Sequence, residues 1–503
     1  MKNTHVSIFA AAALSLLLGA CVSVDSRVSE TPSRYWKAPK DALPEEYFSP
    51  SQIRTDSIER ASAEGGAKGA ATASDKLVSG AVLSLPDLVD IALENNTVTR
   101  QYWFQAKVYA AQKGQTDAQY MPSVSVGAQV YYKKTRQIST SPLGIGTYWD
   151  VGYGPSLQMN WLLYNFGKRE AQSDAARESL RAANFDFNQS IQDVVLNVYV
   201  GYFNLYSAIS SVKTAEANLE DARNAYKDAA ARLENNVGRK QDALRALANA
   251  KNAEYALEQA RASVEDARAS LASALGVEVS QNLNISEDFV LPSSPEAEKK
   301  IEELMASALR ERQSVLAAYS RLGAAAHNTR ASERNFLPEI GGVGAMEWVD
   351  FANDRYYHAP SNNYMIGATL SWNIFDGFAN QYELISAKAK ERAAAQQLKA
   401  EEISIISNVW TNFYAYKSAL KQLESTSAAV QAAEEAYSAT DEAYKSGVGT
   451  LTDLLNSQSL LAQARQQKVS AEAFLAISVA RLAHATGALT GGIAPDGDSA
   501  SEG

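Results

Sequence analysis

Few residues of this chain have the type and spacing that covalent chemistry needs. It holds one cysteine, Cys21, and four histidines in 503 residues, with no clustered ligand spacing, so neither a zinc site nor a catalytic thiol is expected. No nucleophile–base pair and no glycine-rich phosphate loop is present. The reading is therefore of a protein that is no enzyme and holds no metal or cofactor. What recurs instead is a carboxylate beside a turn. Val237, Gly238, Asp242 and Leu244 form the frame V-G-x-x-x-D-x-L, and Val448, Gly449, Asp453 and Leu455 repeat it 211 positions later. Gly238 and Gly449 permit tight turning at a helix junction, and a positive φ is expected there. Asp242 and Asp453 then fall in the first turn of the returning helix, where the helix dipole favours a carboxylate.

The cysteine has chemistry of another kind. "MKNTHVSIFAAAALSLLLGAC" opens with Lys2, continues in an apolar stretch and ends in small residues, the layout of a secretory signal over 1–20. Leu18-Gly19-Ala20-Cys21 resembles a bacterial lipobox. That resemblance implies a diacylglycerol on the Cys21 thiol and Cys21 as the mature N-terminus. Val22 stands where an aspartate would signal retention at the inner membrane, which favours the outer one.

Composition bounds the rest. The chain is 46% hydrophobic and 21% charged, ordinary for a folded protein. A net charge of −10 argues against a nucleic-acid partner. Beyond the N-terminus there is no apolar run of 18 or more, so no spanning helix is expected. Residues 21–84 read as a tether, small and polar at 61–74. Tyr35, Trp36, Tyr47 and Phe48 mark 34–48 as an extended strap that docks on the body.

The body is duplicated. The 211-residue offset also pairs Trp161 with Trp372 and "LASALG" with "LAHATG"; upstream it becomes 216, pairing Met121-Pro122 with Leu337-Pro338. Two repeats follow, 85–276 and 301–487, joined by a Pro/Ser/Glu-rich linker over 277–300 and ending in a disordered tail over 488–503. Each reads helix, two strands, long helix, turn, long helix. Leu205, Val212, Leu219, Tyr226 and Leu233 keep a seven-residue rhythm, with Ala208, Ala215, Ala222 and Ala229 three residues on. Tyr416, Leu423, Val430, Tyr437 and Tyr444 do the same in the second repeat. After the turns, small residues keep the rhythm: Ala246, Ala253, Ala260, and then Ser457, Ala464, Ala471. This is a seam of large residues against small ones. Helices of about 67 residues would span about 100 Å, suited to a spacer or conduit.

The strands alternate. Val124, Val126, Ala128, Val130 and Tyr132 share one face, as do Ile366, Ala368, Leu370, Trp372 and Ile374. Segments of about ten residues, one face apolar and aromatics near the ends, suit barrel strands in a membrane. Two hairpins give only four strands, and open edges cannot face lipid, so several chains would share one barrel.

Taken together, the duplicated layout, the "LP" before each first strand, "WNIFDG" at the strand-to-helix corner, "YKSGVGTLTDLLNSQ" and the closing "LAHATG" resemble the TolC-like outer-membrane efflux factors. The resemblance covers 85–487. It implies a mainly α fold with a small antiparallel β part: a duplicated helix, β-hairpin and long helical hairpin. It further implies a homotrimer with a 12-stranded barrel in outer-membrane lipid, continued by a helical tube across the periplasm. The turns, with Val237, Gly238, Val448, Gly449 and Thr450, would form a closed tip that meets a periplasmic adaptor and an inner-membrane pump. The family's acidic constriction maps to Asp453 and to Asn456, where the second carboxylate is missing. A tie between the hairpins maps to Tyr444 and Asp242, while the arginine that supports it elsewhere falls at Gly449.

The function implied is the exit duct of a tripartite export system for small toxic molecules. A type I duct for polypeptides is the alternative, and a coiled-coil spacer lipoprotein a second one. Amphipathic hairpins and glycine corners count against the spacer, which needs no barrel.

Overall fold

The computed structural model describes residues 28–29, 31–37, 82–138, 145–279, 283–285, 299–351 and 361–489. Contacts divide the chain into two compact units. One takes Ala106–Ala183 and Ala318–Leu398, the other Ser29–Gln105, Asn184–Ala317 and Lys399–Gly503. Cys21 and the signal segment lie outside the described residues, as do 38–81.

The first unit contains one antiparallel sheet, with β2 Ser123–Ile138, β3 Ile145–Tyr164, β5 Glu339–Phe351 and β6 Ser361–Ser371 in the order β2-β3-β5-β6. The first hairpin is longer than the ten-residue expectation: 16 and 20 residues, against 13 and 11 in the second. Its long register, Ser123↔Asn160 to Ile138↔Ile145, carries the extra residues inserted between Pro122 and Trp161. The second hairpin ends sooner than its alternation suggests. Trp372 and Ile374 lie beyond β6, because the chain there already turns toward the next helix. The alternation produces one exposed apolar face: Val126 is 79% exposed, Val130 77% and Ile366 94%.

The corners after β3 and β6 are built alike. Phe166 and Gly167 have positive φ, and so do Gly377 and Phe378 at the equivalent places. Asn165 Oδ1 accepts the Arg169 amide at 3.2 Å, and Asp376 Oδ2 accepts that of Asn380 at 2.9 Å. Trp161 Nε1 donates to the Tyr120 carbonyl and Trp372 Nε1 to that of Phe336, both at 3.0 Å. The duplication thus reaches individual hydrogen bonds.

The helices α3 Lys168–Glu234 and α7 Ala379–Ser446 have 67 and 68 residues, close to the expected length of about 67. Each turns back into a shorter partner, α4 Lys240–Leu275 and α8 Leu451–Ala485. Before them stand α1 Leu85–Asn95 and α2 Thr97–Ala118, then α5 Ile301–Glu311 and α6 Gln313–Arg334. Ser84 caps α1 reciprocally with Asp87. Every member of the small-residue line on α8 is buried: Ser457, Ala464, Ala471, Ser478 and Ala485. That follows from close backbone approach, which only small side chains allow.

The second unit's core gathers Phe187, Ile191, Val198, Tyr199 and Leu205 of α3 with Leu271 and Leu275 of α4 and Ala476 and Ala480 of α8. Two features there were not expected. Val82–Leu83, as β1, pairs in parallel with Asn284–Ile285, β4, so tether and linker close on each other. Leu489, placed in the tail, is fully buried in the core, and 490–503 lie outside the described residues. Within the strap, Asn188 clamps the Trp36 backbone at both ends, accepting its N–H at 2.8 Å and donating to its carbonyl at 2.9 Å. The Trp36 ring meets Phe185 edge-on.

Candidate functional site

The two helical turns lie in the second unit, and their backbones follow one pattern. Val237 and Gly238 both donate to the Arg232 carbonyl at 2.9 Å, while Asn236 donates to Leu233 at 3.0 Å. Val448 and Gly449 likewise donate to the Ala443 carbonyl, at 3.0 and 2.8 Å, and Gly447 donates to Tyr444 at 3.1 Å. These bonds satisfy the last carbonyls of α3 and α7. The positive φ is not where it was expected. It falls on Asn236 (61°) and Gly447 (83°), two residues before Gly238 and Gly449. Asparagine is the residue that tolerates the left-handed region best after glycine. Gly238 and Gly449 serve close approach instead. A Cβ on Gly238 would stand 2.9 Å from Arg232 Cβ and the Leu233 nitrogen; on Gly449 it would stand 3.0 Å from the Tyr444 nitrogen.

Val237 and Val448 protrude from the turns, 77% and 86% exposed. Thr450 is the N-cap of α8, accepting the Asp453 amide at 3.2 Å and donating its hydroxyl to Asp453 Oδ2 at 2.6 Å. Asp453 is therefore built into the helix start while remaining exposed, as is Asn456 one turn on. Arg239, the N-cap of α4, makes no such side-chain bond, so the two helix starts differ where their turns agree.

Behind the turns, Tyr444 is buried with Ala225, Ala229, Ala246, Leu451 and Leu454. Arg232 holds it: the guanidinium lies 4.4 Å from the ring centroid and donates to the carbonyls of Tyr444 and, at 3.0 Å, Lys445. The cation thus sits at the C-terminus of α7, where carbonyls and dipole favour it. Burial raises the Tyr444 phenol; Arg232 opposes this, while Asp242 and Asp228 add to it. Asp242 is thus within electrostatic reach of Tyr444, and the direct grip comes from Arg232. Sequence reasoning missed this residue because it sought the arginine at Gly449, on the second hairpin. The signal was there: an arginine in the last turn of α3, where the second repeat has Ala443.

Among the described residues no helix is long and apolar enough to cross a membrane, and no three acidic, His or Cys residues gather as a metal site.

The described residues combine paired long helical hairpins with matched turns and a small antiparallel sheet apolar on one face. The chain matches the outer membrane efflux protein family over residues 88–277 and 304–488 and belongs to it. It is an outer-membrane efflux protein, and that family is one of channels. It is 26% identical to protein CyaE of Bordetella pertussis over 420 residues, 84% of this chain and 87% of that one. It is 25% identical to the outer membrane efflux protein BepC of Brucella suis over 346 residues, 66% of this chain and 72% of that one. Its fold is that of VceC from Vibrio cholerae, with a TM-score of 0.71 at 20% identity over 80% of this chain and 96% of that one. The Campylobacter jejuni CmeC outer membrane channel is equally similar, with a TM-score of 0.71 at 18% identity over 82% and 87%. The spacer reading is thereby set aside.

Proposed function

We propose that three copies of this chain share one 12-stranded barrel and form the exit duct of a tripartite system exporting small toxic molecules. The observation that carries the reading is the sheet itself. Among the described residues its strands β2 and β6 each keep one unpaired edge, while an apolar face stands exposed. In lipid each unpaired backbone group costs several kcal/mol, so only closure with further strands makes such a sheet viable. Three copies supply twelve strands, an even number within the range of such barrels.

The hairpin turns are the closed periplasmic end, and Asp453 supplies its charged ring. Val237, Gly238, Val448, Gly449 and Thr450 are the surface offered to a periplasmic adaptor, itself joined to an inner-membrane pump. Three chains with two matched turns each present six near-equivalent turns. Acylated Cys21 adds a lipid anchor, which contributes little beside a spanning barrel. No catalytic step is assigned to the chain.

The test is export in a strain lacking this gene. Restoring the gene should lower accumulation of a fluorescent amphiphilic dye, and outer-membrane fractions should show a heat-modifiable, trimer-sized band. Acyl labelling should be lost in Cys21→Ser. Unchanged dye accumulation alongside a normal trimer would contradict the small-molecule reading and favour polypeptide secretion.

A further inference from the structure

About 21 Å above the second turn, at 1.5 Å per residue from Leu451, the contact between the two hairpins changes character at Arg465. Below it the hairpins meet through the apolar cluster of Ala225, Ala229, Ala246, Tyr444, Leu451 and Leu454. Well above it they meet through the core around Val198, Tyr202, Ala476 and Ala480. Between these lies a polar layer. Arg465 Nη1 on α8 donates to Asn218 Oδ1 at 3.2 Å and to Asp221 Oδ2 at 3.3 Å, both on α3. Its Nε lies 3.8 Å from Glu434 on α7. Gln458 Nε2 donates to the Asp221 carbonyl at 3.1 Å and accepts from Asn249 on α4 at 3.2 Å, so all four long helices take part. Arg465 and Asp221 are each only about a quarter exposed, at 24% and 27%.

Two kinds of contact respond differently to parting. Small alanine contacts give way gradually, because each contributes little. A charge-assisted, partly buried bond is directional, and losing one partner leaves the other charge badly solvated. Once the Arg232 grip at the turns is released, a movement that starts there meets neutral amide bonds at Gln458 and then, at Arg465, its first charge-assisted and partly buried one. We propose that Arg465 is the positioning residue at which opening of the hairpins stops, a pivot that fixes how far the closed end can widen. This deepens the reading of the turns as a closed end and rests on it.

The test uses the full-length protein in planar bilayers, each variant read against the parent. Arg232→Met frees Tyr444 and should raise the resting conductance with Arg465 in place. Adding Arg465→Met should raise it further, by more than the product of the two single effects, with trimer yield unchanged. Adding Arg465→Lys should rescue most of that excess. A thiol tie then locates the stop. Gln466 Nε2 donates to Ser211 Oγ at 3.0 Å just above the layer, and Cys21 is the chain's sole native cysteine. A short bismaleimide joining Ser211→Cys to Gln466→Cys should leave Arg232→Met unchanged and return the Arg232→Met, Arg465→Met protein to the Arg232→Met level. If the tie lowers the conductance of Arg232→Met alone, opening runs past Arg465 and the proposal fails while the duct stands. If Arg465→Met adds nothing to Arg232→Met, the proposal fails in the same way. If Arg232→Met itself does not open the channel, the reading of the turns as the closed end fails, and the pivot with it.

Discussion

The guanidinium of Arg232 covers the ring of Tyr444 at 4.4 Å and grips the carbonyl end of the helix that carries it. One residue of the first hairpin thus holds the end of the second. Such a cation–π contact, partly desolvated, is worth about 2 kcal/mol, or roughly thirtyfold in a closed-to-open ratio. Arg232→Met should raise resting conductance by up to that factor, and Arg232→Lys, which lacks the planar fork, should fall between. Bilayer recordings check this. A conductance unaltered in Arg232→Met would show that the grip does not hold the end shut.

Asn236 and Gly447 give a prediction that separates conformation from contact. Both have positive φ, and no atom lies within 4 Å of where a Gly447 Cβ would be. Gly447→Ala should therefore cost only the left-handed strain, about 1–2 kcal/mol, and Asn236→Gly should be tolerated. Gly238→Val and Gly449→Val collide with backbone and should cost about 1–3 kcal/mol together with export. Dye efflux at equal trimer level distinguishes them; full export by the Gly238→Val, Gly449→Val double variant would remove the turns as a coupling surface.

Much of this was legible in the sequence, because a heptad rhythm and a gap-free repeat are local patterns. The 67-residue span of α3 follows from the corner at Gly167 and the turn at Gly238. What was not legible depends on which backbone approaches which. The sequence pointed to Gly238 for the positive φ, and only the φ of Asn236, with the Arg232 carbonyl accepting two amides, shows that the glycine gives clearance and the asparagine the handedness. The β1–β4 pair was hidden because each strand has two residues, too short for any alternation to register. Arg232 was hidden because the expected arginine was sought on the other hairpin.

Asp453 closes the Thr450 cap and is the carboxylate proposed for the charged ring, and one substitution tells the two apart. Asparagine there keeps an acceptor for the Thr450 hydroxyl and removes the charge. Asp453→Asn should leave trimer stability nearly unchanged while weakening cation selectivity and block by multivalent cations from the periplasmic side. Thr450→Ala, by contrast, removes the cap, at about 1 kcal/mol. If Asp453→Asn keeps the parent's selectivity and block, Asp453 is only a helix-start residue.

A pH effect follows from Asp193. Burial raises its carboxyl, but hydrogen bonds from His484, at 2.7 Å, and Gln189, with the charges of His484 and Arg312, outweigh burial and leave it below the usual range. A carboxylate lowered in the folded state stabilises above its unfolded value and loses that contribution as pH falls through the folded one. Asp193→Asn should therefore lower the unfolding temperature at pH 7, and the difference should vanish below the carboxylate range. A difference that persists unchanged in acid would show that packing, and not charge, is what the substitution removed.

The central claim is that three chains close one conducting barrel. Single-channel recording on purified protein whose mass is first measured in detergent tests it most directly. A species of three chains should insert in discrete steps of low, cation-selective conductance that rises in Arg232→Met. A monodisperse single chain that conducts, or a three-chain species through which neither the parent nor Arg232→Met passes ions, would contradict it.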